Sequence, residues 1–375
     1  MIGSMISRDL GLPKDALTRT PVTSSSRSLA GLPRKIGREL KVHGQSAHAG
    51  RTGRRLASQS RPLLLGPWTS EVGFELLYWI PMLRRLLAGQ RRDRRVVVVS
   101  RGGVGAWYAD VADEYHDLLD IFAPDDLRED HERRVARKLG QKQARISPFD
   151  LSAIARVAAQ LDLDAGRIGV LHPWVMYRRF RAVWMRRRPP KVALAELSFA
   201  PLASPRPPAD PPYIAVKAYH SEVFPETAAN VERLRTVVAR LASNVPVRVI
   251  RSGVTIDDHR DVDLDGIAGV DSVVPADPRD NLASQAAVVA GAQALITTYG
   301  GFGYMGPMLS VPTVTFYARD AFNSVHLDVL RGAVQTLRAE ASDPARVAFM
   351  SVDVHHSALD PLIGWLSTYS GGRDA

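Results

Sequence analysis

The fold is decided by residues 294–313, which read ALITTYGGFGYMGPMLSVPT. An apolar run enters a glycine-rich turn at Tyr299-Gly300-Gly301, and a short apolar segment then leads through Val311-Pro312 into the next run. This order is typical of a buried strand, a tight turn, a helix and a second parallel strand. The stretch therefore predicts a β-α-β unit of an α/β fold.

The same alternation of strands and helices extends through the chain in two blocks. Prolines crowd residues 199–212, where they exclude a helix or a central strand. We therefore predict an N-terminal domain over residues 61–200, a Pro-rich linker over 201–212 and a C-terminal domain over 213–375. Each domain would be a doubly wound, Rossmann-like sheet, and the cleft between the two would bind the ligand.

Positive charge is concentrated at the N-terminus. The chain of 375 residues has a net charge of +10, and residues 1–60 contain 11 Lys and Arg against 3 acidic residues. Gly, Pro and Ser recur in this segment, so we predict a disordered basic tail. Because the rest of the chain is close to neutral, we do not expect nucleic acid as the partner.

Composition also bears on the compartment. The chain has no cysteine, which excludes disulfides and thiolate metal sites and fits a reducing environment. The N-terminus lacks the apolar core of a signal peptide, and the chain has no apolar run long enough to span a bilayer. We therefore expect a cytoplasmic protein.

The glycine-rich turn predicts an anion site. The first N–H groups of a helix have no intrahelical partner, and the helix dipole favours negative charge there. Glycine lets that backbone approach a phosphate closely.

The run from Asp280 to Tyr317 resembles the donor half of GT-B glycosyltransferases, above all ADP-heptose heptosyltransferases and related polysaccharide-cluster transferases. The shared features are the Asn281-Leu282-Ala283 helix start, the Gly-Gly turn, the Pro-Met-Leu helix and Val-Pro-Thr. The resemblance implies that a donor diphosphate is held by the backbone of Tyr299, Gly300, Gly301, Phe302 and Gly303. Heptosyltransferases commonly have an acid followed by Ser-Gly at this turn, so donor identity does not carry over.

Lys217 follows the first strand of the C-terminal domain. In the resembling folds this strand end faces the cleft and often supplies a cation to the diphosphate. A lysine there would offset the charge of the leaving group without a metal.

The loop from Gly66 to Leu76 resembles the acceptor-side loop of heptosyltransferase-like enzymes, where a carboxylate deprotonates the acceptor hydroxyl. Glu71 and Glu75 are the two candidates for that base. The position of Glu71 in the loop favours Glu71, whereas the spacing to Pro81 favours Glu75. Three further side chains are candidates for the acceptor region or the cleft: Trp68, Arg101 and His172.

Three Asp-x-Asp patterns resemble metal pairs by letter only: 162–164, 261–263 and 263–265. Each lies in an acidic turn without the preceding long strand, and hard cations need several convergent oxygens. We interpret them as turns and predict neither a metal nor a cofactor.

Residues 178–188 alternate arginines with Phe180, Val183, Trp184 and Met185. Such a segment can lie on an anionic membrane surface, and it could equally bind single-stranded nucleic acid or form a solvated helix edge.

Together these features predict a glycosyltransferase of polysaccharide biosynthesis. Its donor would be a nucleotide-diphosphate sugar and its acceptor a saccharide or a lipid-linked saccharide, with metal-independent inversion at the inner membrane face. The alternatives are a GT-B-like sugar-nucleotide epimerase or pyruvyl transferase, and a non-catalytic glycan- or nucleic-acid-binding protein.

Overall fold

The computed structural model describes residues 34–90, 94–136, 142–163, 167–204, 211–254, 256, 259–319, 322–355 and 359–368. Within them the chain forms two separate parallel β-sheets that face one cleft. The prediction of an α/β fold with two Rossmann-like sheets is thereby confirmed. The domain bounds stay a prediction, and residues 205–210 of the predicted linker lie outside the described residues.

The first sheet has four strands, β1 (Leu63–Leu65), β2 (Val96–Ser100), β3 (Glu114–Asp117) and β4 (Gly169–Leu171). Their order is β3-β2-β1-β4, all parallel, with Leu64 beside both Val97 and Val170. The sequence predicted a mostly helical section over 110–163 and was wrong about β3. That strand has the sequence EYHD, and only its last residue is buried. Because a strand with so few buried positions needs no apolar run, the sequence pattern did not indicate it.

The second half contributes eight strands: β5 (Ile214–Lys217), β6 (Tyr219–His220), β7 (Val247–Ile250), β8 (Arg260–Asp261), β9 (Val270–Val273), β10 (Ala294–Thr298), β11 (Thr313–Tyr317) and β12 (Phe349–Asp353). Six of them form a parallel sheet in the order β12-β11-β10-β5-β7-β9, while β6 and β8 pair antiparallel. Counted within that sheet alone, this is the strand order 3-2-1-4-5-6 of doubly wound nucleotide-binding sheets.

Both sheets contain a point at which the strand order reverses. In the first sheet it lies between β1 and β4, and in the second between β5 and β10. The connections on either side of such a point leave in opposite directions, which opens a crevice at the carboxyl ends of the strands. The loops after these four strands are therefore the places to look for ligand contacts.

The helices of the first half are α1 (Arg34–Ala57), α2 (Val72–Phe74), α3 (Ile80–Leu87), α4 (Pro124–Ala136), α5 (Pro148–Gln160), α6 (Trp174–Trp184) and α7 (Pro190–Leu194), with 3₁₀ turns at Val104–Tyr108 and Leu118–Asp120. A π-helical segment, Glu75–Trp79, joins α2 to α3. The N–H of Ile80 bonds to the carbonyl of Glu75, and Pro81 has no N–H to donate. The kink predicted at Pro81 therefore takes the form of a widened turn.

The helices of the second half are α8 (Ala228–Ala242), α9 (Asn281–Gly291), α10 (Gly301–Met308), α11 (Ser324–Glu340) and α12 (Leu359–Thr368), with 3₁₀ turns at Pro278–Asp280 and Pro344–Arg346. Asp280 occupies the N-cap position of α9, although its side chain makes no capping hydrogen bond. The strands predicted within this half are all present.

The prediction of a disordered tail is wrong for residues 34–57. These residues form α1, which packs along α6. The α1 side chains of Val42, Ala49 and Leu56 are buried in this contact. The buried Arg94 donates to the carbonyls of Leu56, Ala57 and Gln59, so it satisfies the open end of the helix. Residues 1–33 of the predicted tail lie outside the described residues.

The segment 178–188 also differs from its prediction as a membrane surface. Phe180 and Val183 are buried in α6, and Trp184 packs against Tyr78 and Phe74. Among the interleaved apolar side chains only Met185 is exposed, at 41%. The apolar face of the segment therefore serves the protein core. Among the helices that the structure describes, none is long and apolar enough to cross a membrane.

Candidate active-site cleft

A cleft of about 820 Å³ lies between the two sheets. Its walls come from the loops that follow β1, β2, β5 and β10, which are the carboxyl ends of strands on both sides. It therefore lies at the carboxyl ends of both sheets, and in the second sheet it adjoins the reversal of strand order between β5 and β10.

The loop after β1 presents Glu71 to the cleft. Buried side chains hold the backbone of this loop: Gln143 accepts from the Thr69 N–H and donates to the Pro67 carbonyl, each at 3.0 Å. The Arg101 guanidinium donates to the Ser70 carbonyl at 2.7 Å. Glu71 is the N-cap residue of α2, yet its side chain makes no capping hydrogen bond. Its carboxylate thus sits on a fixed backbone at the cleft wall.

Glu75 lies one helical turn further on and is fully buried outside the cleft wall. One carboxyl oxygen, Oε1, accepts from Ser100 Oγ at 2.6 Å and from Tyr108 Oη at 2.5 Å. Burial raises the pKa of Glu75 to about 7, although the charge of Arg101 opposes the shift. The structure therefore separates the two candidate carboxylates, with Glu71 at the cleft and Glu75 behind it.

On the opposite wall, the glycine-rich turn begins α10 as predicted. Tyr299, Gly300, Gly301 and Phe302 line the cleft. A Cβ on Gly300 would lie 1.9 Å from the Tyr219 hydroxyl, so only glycine fits there. Gly303 is a correction: it is buried against β11, where a Cβ would meet the Thr315 methyl at 2.5 Å. Gly303 lets α10 pack on the sheet and does not line the cleft.

Lys217 lines the cleft at the end of β5, but it already has partners. Its Nζ donates to Asp261 Oδ1 and to Ser252 Oγ, each at 2.7 Å, and the residue is only 3% exposed. Nζ also lies 5.6 Å from the ring centre of Phe302 at the start of α10. Much of its charge is therefore offset by Asp261.

Arg101 at the end of β2 lines the cleft and is 6% exposed. Apart from the bond to Ser70, its Nε and Nη1 have no hydrogen-bond partner among the described residues. Buried guanidinium N–H groups without partners are costly unless a ligand or water satisfies them. Of the three predicted cleft residues, Arg101 is the one that the structure places there.

Trp68 and His172 are wrong as cleft residues, since both are fully buried away from its wall. Trp68 stacks between Trp79 and Tyr177. His172 Nε2 lies 3.2 Å from Asp150 Oδ2, and its Nδ1 accepts from the Trp174 N–H at 3.0 Å. Both side chains stabilise the core beneath the loop after β1. His172 is buried because the start of α6 covers the end of β4 at this point.

Sequence reasoning missed several residues of the cleft. His220, Glu222 and Arg260 line the part near β6 and β8. The signal for His220 and Glu222 is that they lie within five residues after the end of β5, beside a reversal of strand order.

An aromatic part of the cleft was also missed, and there Phe74, Tyr78 and His326 meet. Lys142 Nζ lies 5.2 Å from the Phe74 ring centre, and the Tyr78 hydroxyl lies 2.8 Å from His326 Nδ1. Burial, together with the charge of Lys142, lowers the pKa of His326 to about 4, so this imidazole is neutral at neutral pH. No local sequence signal marks this group, because its members come from distant segments.

The Asp-x-Asp patterns have separate surroundings. Asp261 pairs with Lys217, while Asp265 pairs with Arg251. Asp164 lies outside the described residues. Among the residues that the structure does describe, no group of three or more His, Cys, Asp or Glu side chains is arranged to hold a metal ion.

No protein-family model and no curated protein sequence matches this chain. Solved structures that resemble it include E. coli heptosyltransferase WaaC with ADP, at 13% identity over 82% of this chain and 99% of that one, with a TM-score of 0.40. E. coli ADP-heptose LPS heptosyltransferase II has 11% identity over 84% and 100%, with a TM-score of 0.42. A glycosyl transferase family 9 protein from Veillonella parvula has 11% identity over 84% and 99%, with a TM-score of 0.45.

Two of these structures are named as heptosyltransferases and the third as a glycosyl transferase. Every one of these TM-scores lies below 0.5, so the similarity carries no argument about this chain. At such identities it assigns no donor, acceptor or catalytic residue to this chain, and those assignments depend on the cleft itself.

Proposed function

We propose that this protein transfers a sugar from a nucleotide-diphosphate donor to a hydroxyl of a saccharide or lipid-linked saccharide. The observation that carries the proposal is the position of the cleft at the carboxyl ends of the strands of both sheets, beside the reversal of strand order in the second sheet. One wall offers a helix start suited to phosphate, and the other offers a carboxylate suited to a hydroxyl. A glycosyltransferase needs a diphosphate-binding group on one side of its cavity and a base for the acceptor hydroxyl on the other.

The donor diphosphate would lie against the start of α10. The first N–H groups of that helix lack intrahelical acceptors, and the residues from Tyr299 to Phe302 line the cleft at this helix start. Arg101 would supply cationic N–H groups, since its Nε and Nη1 have no hydrogen-bond partner among the residues that the structure describes. Lys217 remains in the proposed set as a second cation, with Asp261 lowering its net contribution. Tyr299 and Phe302 would flank the diphosphate.

Glu71 would act as the general base on the acceptor. Its carboxylate would take the proton of the acceptor hydroxyl as that oxygen bonds to the anomeric carbon. The bond from the anomeric carbon to the diphosphate oxygen would break, and the nucleoside diphosphate would leave with the electron pair. Charge that develops on the leaving group would be stabilised by Arg101 and the α10 backbone. Attack from the face opposite the leaving group inverts the anomeric centre.

Glu75 is the second candidate for the base, and its surroundings favour a supporting role. It is fully buried, and its Oε1 already accepts two hydrogen bonds. A buried carboxyl behind Arg101 would tune the charge at the cleft without touching the acceptor.

The acceptor would lie along the aromatic part of the cleft, where the rings of Phe74 and Tyr78 suit the apolar face of a sugar. A lipid-linked acceptor would place the enzyme at the inner face of a membrane during polysaccharide biosynthesis.

The proposal is tested first by binding. Calorimetry with ADP, GDP and UDP, each alone and as a sugar conjugate, should show at least one that binds the full chain, and thermal shift should show the same preference. Product analysis with an oligosaccharide acceptor should then show the anomeric configuration inverted. If the bound nucleotide sugar is isomerised without acceptor, the protein is an epimerase. If it binds and stays unchanged with every acceptor, the protein is a binding protein and the proposal is wrong.

A further inference from the structure

A second concavity, of about 690 Å³, lies between α1, α3 and α6. It shares no lining residue with the active-site cleft. Most of one wall comes from α1, the helix that was expected to be disordered. We call it the arginine groove, after Arg54, Arg55 and Arg85 in its lining.

The groove carries unbalanced positive charge. Arg54, Arg55 and Arg85 are exposed, and no hydrogen bond or ion pair joins their side chains to another described residue. A fourth arginine, Arg179, is paired with Glu196, which is the only acid in the lining. Three guanidinium groups from two different helices therefore share one concavity without an acidic partner in the described structure.

The floor of the groove is small and apolar. Gly50 and Gly53 of α1 line it beside Met82, Leu86 and Val175. A Cβ on Gly53 would lie 3.4 Å from both Leu86 and Val175, and one on Gly50 would lie 3.1 Å from Arg179. The glycines thus let α1 pack closely against α3 and α6, and the apolar side chains beside them form the floor of the groove below the arginines. Among the described residues no aromatic side chain lines the groove, so they offer no platform for stacking nucleic-acid bases.

We propose that the arginine groove binds the phosphate headgroup of an anionic membrane lipid. Arginine recognises phosphate through paired N–H groups, and a glycerol backbone with the first acyl carbons suits the apolar floor. This combination of charge above an apolar recess matches an amphiphile better than a free anion or a nucleic acid. The site is independent of the proposed transferase activity, since its ligand contacts lie outside the cleft.

The experiment uses the full chain and vesicle sedimentation, with phosphatidylcholine alone or mixed with phosphatidylglycerol. The groove variant is R54E/R55E/R85E. Its matched control, R145E/R319E/R338E, changes the net charge equally at three exposed arginines outside the groove. Circular dichroism and melting temperature confirm that both variants fold.

The groove variant should lose affinity for the phosphatidylglycerol vesicles on the order of 100-fold, while the control loses less than about tenfold. Neither should bind pure phosphatidylcholine. An equal loss in both variants, or none in either, would show that the whole basic surface acts without a site and would overturn the proposal. It would also be overturned if single-stranded RNA, or inorganic phosphate at the concentration of the lipid phosphate, displaced the wild-type protein from the vesicles.

Discussion

Gly73 and Gly301 lie backbone against backbone where the two sheets meet. A Cβ on Gly301 would be 2.8 Å from the Gly73 nitrogen, and one on Gly73 would be 3.1 Å from the Gly301 Cα. The start of α10 and the start of α2 can approach this closely only because neither residue has a side chain. This contact brings the candidate diphosphate site and the loop that carries Glu71 to the same cleft.

The first prediction is that Gly301→Ala abolishes nucleotide binding. The added methyl would force apart the backbones of α2 and α10, because the clash at 2.8 Å is with main-chain atoms that cannot rotate away. Calorimetry should show the loss, and a melting curve should show that the protein still folds. Gly44→Ala is the matched control, since a Cβ there meets no atom within 4 Å. Unchanged nucleotide affinity in Gly301→Ala would place the diphosphate elsewhere.

Arg101→Met should weaken nucleotide-diphosphate binding about tenfold to a hundredfold, as expected for loss of a charge-assisted contact. Two of its nitrogens, Nε and Nη1, have no hydrogen-bond partner among the described residues, so a bound phosphate is a suitable acceptor for them. Arg145→Met, which removes an exposed arginine outside the cleft, should leave binding unchanged. If nucleoside monophosphates and diphosphates weaken equally, Arg101 does not contact the second phosphate.

The sequence predicted the fold well where strands are apolar and turns contain glycine, as at 294–313. It failed at α1 for a physical reason. Over residues 41–57 the buried positions of that helix are Val42, Ser46, Ala49, Gly50, Thr52, Gly53, Leu56 and Ala57, which lie on one face of a packed helix. Six of the eight are Ser, Thr, Ala or Gly, so the pattern carries almost no hydrophobic signal. Close packing against α6, not apolar bulk, orders this helix.

The candidate site was predictable only in part, for a related reason. Positions after strands β1, β5 and β10 can be read from the sequence, and they gave Glu71, Lys217 and the glycine turn. Whether such a residue faces the cleft or the core depends on which helix covers it, as His172 shows. The ion pair between Lys217 and Asp261 joins residues 44 positions apart, so no local sequence pattern predicts it.

Removing residues 1–60 should destabilise the protein. The deletion uncovers the α6 surface, takes away the buried Val42 and Leu56, and leaves Arg94 without its three carbonyl acceptors. Two such apolar side chains alone correspond to about 3 kcal/mol or more of unfolding free energy. Urea denaturation of the deletion and of full-length Arg94→Met should both show the loss, and Lys41→Ala, an exposed site on α1, should not. A deletion as stable as the full chain would show that α1 does not hold this surface.

Glu75 should make stability depend on pH. Its folded pKa of about 7 lies above the unfolded value of 4.5, so the folded protein binds the extra proton between these values. The contribution of this group to the free energy of unfolding is fully present below the unfolded pKa. It is lost as pH rises through the folded pKa of about 7, and the total loss is roughly 3 kcal/mol. The difference in unfolding free energy between Glu75→Gln and wild type should therefore shift in favour of the variant between about pH 5 and pH 8. Urea titrations at both pH values measure it, with Glu132→Gln, an exposed site on α4, as the control. A difference that stays constant with pH would mean that Glu75 is ionised throughout.

The last prediction separates the two carboxylates by their position. Glu71→Gln keeps the size of the side chain and removes the proton acceptor at the cleft wall. Turnover should therefore fall by about 10²–10⁴-fold, the usual contribution of a general base, while donor affinity measured by calorimetry holds.

Glu75→Gln should behave differently, because its buried oxygen bonds to Ser100 and Tyr108 and not to the acceptor. We expect a smaller change in turnover and a shift in its pH profile, since the charge behind Arg101 is then fixed. Glu132→Gln again serves as the control on α4. Should Glu75→Gln lose turnover as far as Glu71→Gln, with donor affinity intact in both, the acceptor proton would have to pass through the buried carboxyl. If both variants keep near-normal turnover, the base does not lie on this loop.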